Sequence, residues 1–415
     1  MRIIIVGAGI GGLTTALSLH AAGLRDIAIH ERVSEIRGLG VGINLLPHAM
    51  RELTELGVAD RVEALGVAPR TLSYYNRFGQ QIWSEPRGTA AGYRWPQLSV
   101  HRGRLQLALL DAVRERLGDI VHLGHRLVEV EHGSTADAVR FETDEGERRE
   151  LSADVVIGAD GIHSALRRQH YPHEGAPVWN GLTLWRGTAV VPAYLDGRTM
   201  IMAGDGEQKF VAYPLSAPDA EGNARVNFIA ERRGVGEETA DWNRAVDPAP
   251  VVELFREWRF DWLDVPGLVA AADEILEYPM VDRDPIERWS FGHSTLLGDA
   301  AHAMYPNGSN GASQAILDAR TLAYRLATSA GVTDALEAYE ADRRPVTTAL
   351  SLRNREAGPE RVMQLAAERA PGGFTDILEV IPAEELAEIA ASYKRAAGFH
   401  PDELNGRPSL SVAHG

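Results

Sequence analysis

MRIIIVGAGIGGLTTALSLHAAGLRDIAIHE, residues 1–31, holds a strand, a glycine turn, a helix and a second strand in that order. Arg2 to Val6 is a short β-branched run, the length of a buried parallel strand. GAGIGG follows, with Gly7, Gly9 and Gly12 at the GxGxxG spacing and Ile10 and Gly11 between them. The first glycine permits a tight turn, the second leaves room for a pyrophosphate against the backbone, and the third lets the helix lie close on the strand. Leu13, Ala16 and Leu17 recur at helical spacing as the expected buried stripe, and His20 continues it. Ile27 to Ile29 is the second strand, and Glu31 stands 19 residues beyond Gly12, where this fold turns an acid toward ribose hydroxyls. The glycines alone would be a weak signal. With a strand before, a helix after and an acid at the next strand's end, they predict a dinucleotide site.

Composition bounds the rest. The 415 residues are too many for one ordinary core, and their 45% apolar and 24% charged content is that of a globular protein. With 58 acids against 42 bases the net charge is −16, the wrong sign for tracking phosphates, so nucleic acid is not an expected partner. The absence of cysteine excludes disulfides, thiolate metal sites and a cysteine nucleophile. No HExxH or i, i+4 histidine pair is present, so no metal is expected. The N-terminus reads as strand rather than signal peptide, and no apolar run is long enough to span a membrane. A cytoplasmic protein, monomeric or homodimeric, is the expectation.

Beyond Glu31, Gly38, Gly40 and Gly42 make a backbone-exposing loop, and Pro47 opens a helix. Residues 70–99 turn β-like and aromatic, with a hairpin at Tyr75 to Gly79, and a helix runs from His101 to about Leu117. Val121 to Val130 and Ala138 to Thr143 read as strands. Asp154 to Ile157 reads as a buried strand entering Gly158-Ala159-Asp160-Gly161, with Ser164 capping the next helix. From 176 to 281 short strands alternate with turns, as in an antiparallel sheet, with an amphipathic helix within Trp242 to Trp262. Ser294 to Leu297 returns to the buried-strand pattern, followed by Gly298-Asp299, a Pro/Gly/Asn-rich loop and a helix from about Ala312 to Ala327. Further helices are expected at 333–355, 359–369 and 382–397. The predicted fold is α/β: a discontinuous Rossmann-like domain (1–70, 100–175, 282–345), an antiparallel-sheet domain (71–99, 176–281) and a C-terminal helical segment (346–415).

GAGIGG at 7–12, GADGIHSALR at 158–167 and GDAAHAMYPNGSNGA at 298–312 stand in order. Together they resemble the single-component FAD-dependent aromatic hydroxylases, the para-hydroxybenzoate and salicylate hydroxylase class. LGVGIN, SEPRG, WRG, YPMVDRDP and NGASQAILD resemble segments of the phenazine hydroxylases in that class. The resemblance implies an FAD-binding domain of the glutathione-reductase/para-hydroxybenzoate-hydroxylase type. It also implies NADH or NADPH as co-substrate, and oxygen transfer from dioxygen to an aromatic ring through a flavin C4a-hydroperoxide. The implied substrate is a carboxylated fused or heterocyclic aromatic, with decarboxylation one outcome the phenazine likeness allows.

By position, the resemblance assigns the flavin nucleotide to Gly7, Gly9, Ile10, Gly11, Gly12, Glu31, Arg32, Val41, Gly42, Arg104, Leu127 or Val128, Asp160, Asp299, Pro306, Gly308, Gly311 and Ala312. The N–H groups of the helix opening at Gly311-Ala312 suit the negative charge of a reduced flavin. An arginine such as Arg104 suits a phosphate. For the substrate pocket it assigns Trp185, Arg186, Met202, Tyr213, Met304 and Pro306, types suited to a flat aromatic guest. Arg167 reads as a fixed ion-pair partner and His302 as structural. No catalytic triad or carboxylate pair is visible, as expected where the cofactor carries the chemistry. Other readings on the same fold are a halogenase, whose WxWxIP motif is missing, a reductase, or a non-catalytic FAD-binding sensor.

Overall fold

The computed structural model describes residues 1–38, 40–235, 244–356, 358–396 and 400–412. Leu39 of the glycine-rich loop, Trp242 and Ala397 at the edges of expected helices, and Gly236 lie outside the described residues. A six-stranded sheet carries, in spatial order, Ser290–Phe291, Ser294–Leu296, Val155–Gly158, Arg2–Val6, Asp26–His30 and Val121–His122. All its pairs are parallel except that at the Ser290–Phe291 edge. Ile3, Ile4 and Ile5 are fully buried at its centre, covered on both faces as a parallel sheet must be.

The Ile10–Ala21 helix packs against the helices Arg102–Leu117 and Gly311–Thr328. It is therefore buried well beyond its expected apolar stripe: Thr14, Thr15 and Ser18 are inside too. Their hydroxyls donate to the carbonyls of Ile10, Gly11 and Thr14 one turn back, which removes the cost of burying them.

The strand expected at 121–130 is two strands. Val121–His122 closes the parallel sheet, and His125–Glu131 joins Asp137–Thr143 and Arg148–Ala153 in a separate antiparallel sheet. The break falls at Gly124, whose φ of +68° turns the chain from one sheet to the other.

The largest sheet has eight strands, in the order Arg244–Val246, Ile275–Asp282, Val178–Pro192, Asn223–Arg233, Gln208–Pro214, Thr199–Gly204, Thr71–Tyr75 and Gln81–Pro86. It was expected to be antiparallel throughout. Thr199–Gly204 pairs in parallel with Thr71–Tyr75, because that hairpin arrives from a distant part of the chain and not through a turn. Phe210, Phe228, Ala230 and Trp185 pack on one face with the short helices Pro248–Leu254 and Val265–Ala270. Met200, Met202, Val211 and Tyr213 pack on the other with the Arg361–Arg369 helix.

A methyl group at Gly12 would overlap the Gly7 carbonyl oxygen, a backbone atom that cannot move aside. Gly12→Ala is expected to cost about 1–3 kcal/mol or more, read as a lowered thermal unfolding midpoint and a loss of soluble protein.

Candidate active site

The first turn is shaped by contact between backbones. Gly7 has φ +104°, and a side chain there would collide with the Ala159 carbonyl. That approach seats the Gly7–Gly12 turn directly against the Ala159-Asp160 turn. Gly9 is the N-cap of the Ile10–Ala21 helix and offers no side-chain cap, so the first-turn N–H groups stay available. A Cβ built at Gly9 meets nothing within 4 Å, so the space above these N–H groups is open. Glu31 accepts from the Ala8 N–H at 2.8 Å and from the Val33 N–H at 3.1 Å, which aims its carboxylate over the turn. Arg32 is exposed, close enough to His163 to act on its charge.

In the second turn, Asp160 Oδ2 accepts from the Ala165 N–H at 2.7 Å, while Oδ1 is buried with no hydrogen-bond partner among the described residues. Burial raises this carboxyl's pKa, and hydrogen bonds from Ser164 and the Ala165 N–H oppose the rise. Ser164 caps the Ala165–His170 helix by accepting from the Arg167 N–H at 3.0 Å. Arg167 is fully buried and pairs with Glu174. It also donates to the carbonyls of Ala300, Ala301 and Asp284 at 3.2, 2.9 and 2.8 Å, tying the second turn to the third.

The third turn hangs from Asp318. Its Oδ2 accepts from the Gly298 N–H at 3.0 Å and faces His302 Nε2 at 2.6 Å, while Oδ1 accepts from Arg343 Nε at 2.7 Å. The chain continues from Arg343 to Gln314 at 2.5 Å, Gln314 to Asn310 at 3.3 Å and Asn310 to the Tyr393 hydroxyl at 3.0 Å. All of these side chains are buried. His302 thus has the structural place expected of it. Asn310, the N-cap of the Gly311–Thr328 helix, spends its side chain in this network and leaves the helix's first turn uncapped. Asp299 is exposed, with Oδ1 3.9 Å from where a Gly311 Cβ would be. Gly11 lies against Leu297 and Ala315, so the first helix, the Gly298 turn and the Gly311 helix meet. Pro306 is exposed, Ala312 half-buried, and Gly308, at φ +76°, is packed on the Tyr393 hydroxyl.

Opposite, the eight-stranded sheet grips one residue of the glycine-rich loop. The Gly42 N–H donates to Asn227 Oδ1 at 2.7 Å. The Gly42 carbonyl accepts from Arg186 at 2.8 Å and from the Tyr213 hydroxyl at 2.7 Å. Burial pushes the Tyr213 hydroxyl up to about 12, so it is a neutral donor. Val41 is buried beside the grip. Met202 shares Tyr213's face of the sheet, and Met304 packs against Leu46, Tyr93, Leu350 and Tyr393.

Two expected site residues point elsewhere. Trp185 neighbours Arg186 on one strand, and successive side chains leave a strand on opposite faces. It is buried with Phe210 and Phe228 on the face away from Gly42, its indole donating to Glu277 at 2.8 Å. Arg104 is the second correction. Gln106, on the same helix, donates to the Ala8 carbonyl at 2.9 Å. Arg102 lies four residues earlier, on Gln106's face, with its side chain 3.8 Å from the Gly40 Cβ position. Arg104 falls on the other side of the helix and lines a separate concavity with Leu65, His101 and Arg225. The signal for Arg102 was present in the sequence as that i, i+4 relation to Gln106. The choice left open between Leu127 and Val128 also gains a geometry. Leu127 is buried and paired with Phe141, and Val128 is the extra, unpaired residue of a β-bulge, 43% exposed.

These features suit an extended dinucleotide: uncapped N–H groups under open space at Gly9, an orphaned acceptor on Asp160, free Asp299, and an uncapped helix start at Gly311. Among the described residues no group of histidines and acids is arranged to hold a metal ion.

The Asp318 network carries a pH signature. Burial alone would raise this carboxyl, but His302 and Arg343 bring it down to about 2. The folded pKa is below the unfolded one, so its stabilisation is complete above about pH 4 and is lost as pH falls toward the folded value. Asp318→Asn is expected to destabilise by about 3–5 kcal/mol at neutral pH. Denaturant titrations should show that gap narrowing between about pH 4 and 2.

A family profile described as "FAD binding domain" matches residues 1–353. The chain is 46% identical, over 94% of its length and 96% of the relative's, to phenazine 1,6-dicarboxylic acid hydroxylase of Lysobacter antibioticus. It is 33% identical, over 87% of each chain, to 3-amino-4-hydroxybenzoate 2-monooxygenase of Streptomyces cremeus. Among solved structures, Klebsiella pneumoniae HpxO complexed with FAD and uric acid superposes with a TM-score of 0.72 at 25% identity, covering 96% of this chain and 92% of that one. The chain belongs to the FAD binding domain family, among the FAD-dependent aromatic hydroxylases.

Proposed function

We propose that the protein is an FAD-dependent monooxygenase that uses NAD(P)H and dioxygen to hydroxylate a carboxylated fused or heterocyclic aromatic ring. The observation that carries this is the convergence of the three turns into one cradle. The relative at 46% identity, named for a phenazine dicarboxylic acid, supports the ring class.

In this reading, bound FAD supplies the redox chemistry, accepting hydride from the nicotinamide and activating dioxygen. The N–H groups after Gly9 and the Arg102 guanidinium hold the phosphates, and Glu31 holds a ribose. The bulge at Val128 meets the adenine. Asp160 would stand beside the pyrophosphate, Asp299 would accept from the polyol chain, and the Gly311-Ala312 helix start would face the ring's anionic edge. Arg186, Tyr213 and Asn227 keep the Gly42 backbone in place beside the ring.

The sheet face beyond that grip carries Leu184, Ile229, Val211 and Met202, an apolar wall for a flat guest. Excluding water and orienting the guest against this wall are the protein's contributions. Residues 1–70, 100–175 and 282–345 would form the FAD domain, with 71–99 and 176–281 the substrate domain. Among the described residues no helix is long and apolar enough to cross a membrane. We take the protein to be cytoplasmic, and monomeric or homodimeric.

The purified protein is expected to be yellow with a flavin spectrum. In a screen of aromatics, carboxylated phenazines and related heterocycles should accelerate NAD(P)H oxidation and yield oxygenated products by mass. A colourless protein that takes up no FAD would overturn the reading; bound FAD without NAD(P)H oxidation would favour the sensor. Arg102→Gln should weaken FAD binding about tenfold or more, measured by fluorescence titration of apoprotein.

A further inference from the structure

Arg104, freed from the flavin cradle, borders a concavity of about 220 Å³ between the start of the Arg102–Leu117 helix and the end of the eight-stranded sheet. Its other walls include Leu65, His101, Ser216, Asn223 and Arg225. We propose that this concavity holds the phosphates of the reduced nicotinamide nucleotide, a proposal that rests on the monooxygenase reading above.

The chemistry of the walls selects an anion. Arg104 is exposed and makes no hydrogen bond or ion pair with a described residue. Arg225 is pre-oriented: its guanidinium is held by Thr188 at 3.1 Å and Asp273 at 2.5 Å. The one acid among the lining residues, Asp219, holds its own turn, accepting from the N–H groups of Glu221 and Asn223 at 3.0 and 2.8 Å. His101 Nδ1 is buried with no partner among the described residues. Arg104 therefore has no ion-pair partner among the described residues, and two arginines face the single acid of the wall. A phosphate supplies a partner in the geometry a guanidinium prefers.

The position also fits. His101 is paired with Gly42 across the short sheet and its ring hydrogen-bonds the Gly40 backbone, so the concavity shares a wall with the loop beside the flavin cradle. The chain has no second GxGxxG turn to serve a second dinucleotide. Anchoring the phosphates here would leave the nicotinamide end free to reach past Gly40–Gly42 toward the flavin.

His101 provides a readout independent of turnover. Burial lowers its pKa, Arg104 and Arg225 lower it further, and the Gly40 hydrogen bond raises it. A phosphate beside Arg104 cancels part of the cationic field, so its binding should raise the His101 pKa. FAD-loaded protein would be titrated with NAD⁺, NADP⁺ and ADP-ribose, following the His101 ring by NMR, and KM for NADH and NADPH would be measured alongside.

Arg104→Gln is expected to raise Kd and KM for the nucleotide about tenfold or more, with FAD content and substrate KM unchanged. Arg104→Lys should recover part of the loss. Loss for NADP⁺ alone would place the 2′-phosphate here, and loss for all three ligands the diphosphate. Unchanged nucleotide affinity in Arg104→Gln, or an unmoved His101, would overturn the proposal while leaving the monooxygenase reading intact. Loss of FAD from Arg104→Gln would overturn it in favour of a role for Arg104 in the flavin site. Failure of the wild-type protein to bind FAD would refute the monooxygenase reading itself.

Discussion

The backbone-to-backbone approach of Gly7 to Ala159 is the constraint on which the rest of the structure depends. Two neighbouring parallel strands, Arg2–Val6 and Val155–Gly158, end side by side, and their following turns must occupy adjoining space. Only a residue without Cβ fits at Gly7, and only another fits at Gly12, where the helix comes back over the turn. Because both positions are bare, the Ile10–Ala21 helix can lie deep between two other helices, with even its threonines buried and internally bonded. The first two turns are thereby brought into contact without any side chain between them.

The third turn is held by charge instead of close packing. Asp318, on the Gly311–Thr328 helix, fixes the Gly298 N–H and is itself fixed by His302 and Arg343. A buried carboxylate is costly unless it is paired and hydrogen-bonded, and this one has two side-chain partners and a backbone donor. The same network reaches Asn310 and Tyr393, so the C-terminal helices help set the loop preceding Gly311. Arg167 closes the circuit by holding the carbonyls of the third turn from the helix that follows the second.

The sheet contributes in an unexpected way. Arg186 and Tyr213 read from the sequence as substrate-facing, yet their polar ends converge with Asn227 on the single residue Gly42. A Cβ on Gly42 would lie 2.8 Å from Asn227 Cβ, so the bare residue is what leaves room for the Asn227 side chain. Three side chains on one residue's backbone make the glycine-rich loop an extension of the sheet at that point.

Local patterns fixed much of this in advance. The strand–glycine–helix beginning, the acid at Glu31, the Ser164 cap and the long helix from Gly311 are written in short-range spacing, and the structure has them where the spacing puts them. What local pattern could not resolve was direction. Trp185 and Arg186 are equally plausible as a pair, and the two-residue strand period sends one to each face only after the sheet's outer face is known. Arg102 and Arg104 differ by roughly half a helical turn, and the contact of Gln106 with Ala8 decides which faces the cradle. The division of residues 121–130 between two sheets, and the parallel docking of the Thr71–Tyr75 hairpin, depend on partners far along the chain. The sequence by itself determined where the first strands, the glycine turns, the Ser164 cap and the long helix fall, since those follow from local sterics and hydrogen bonding. Only the tertiary structure decided where each charged side chain points, because that is set by what packs against the other side.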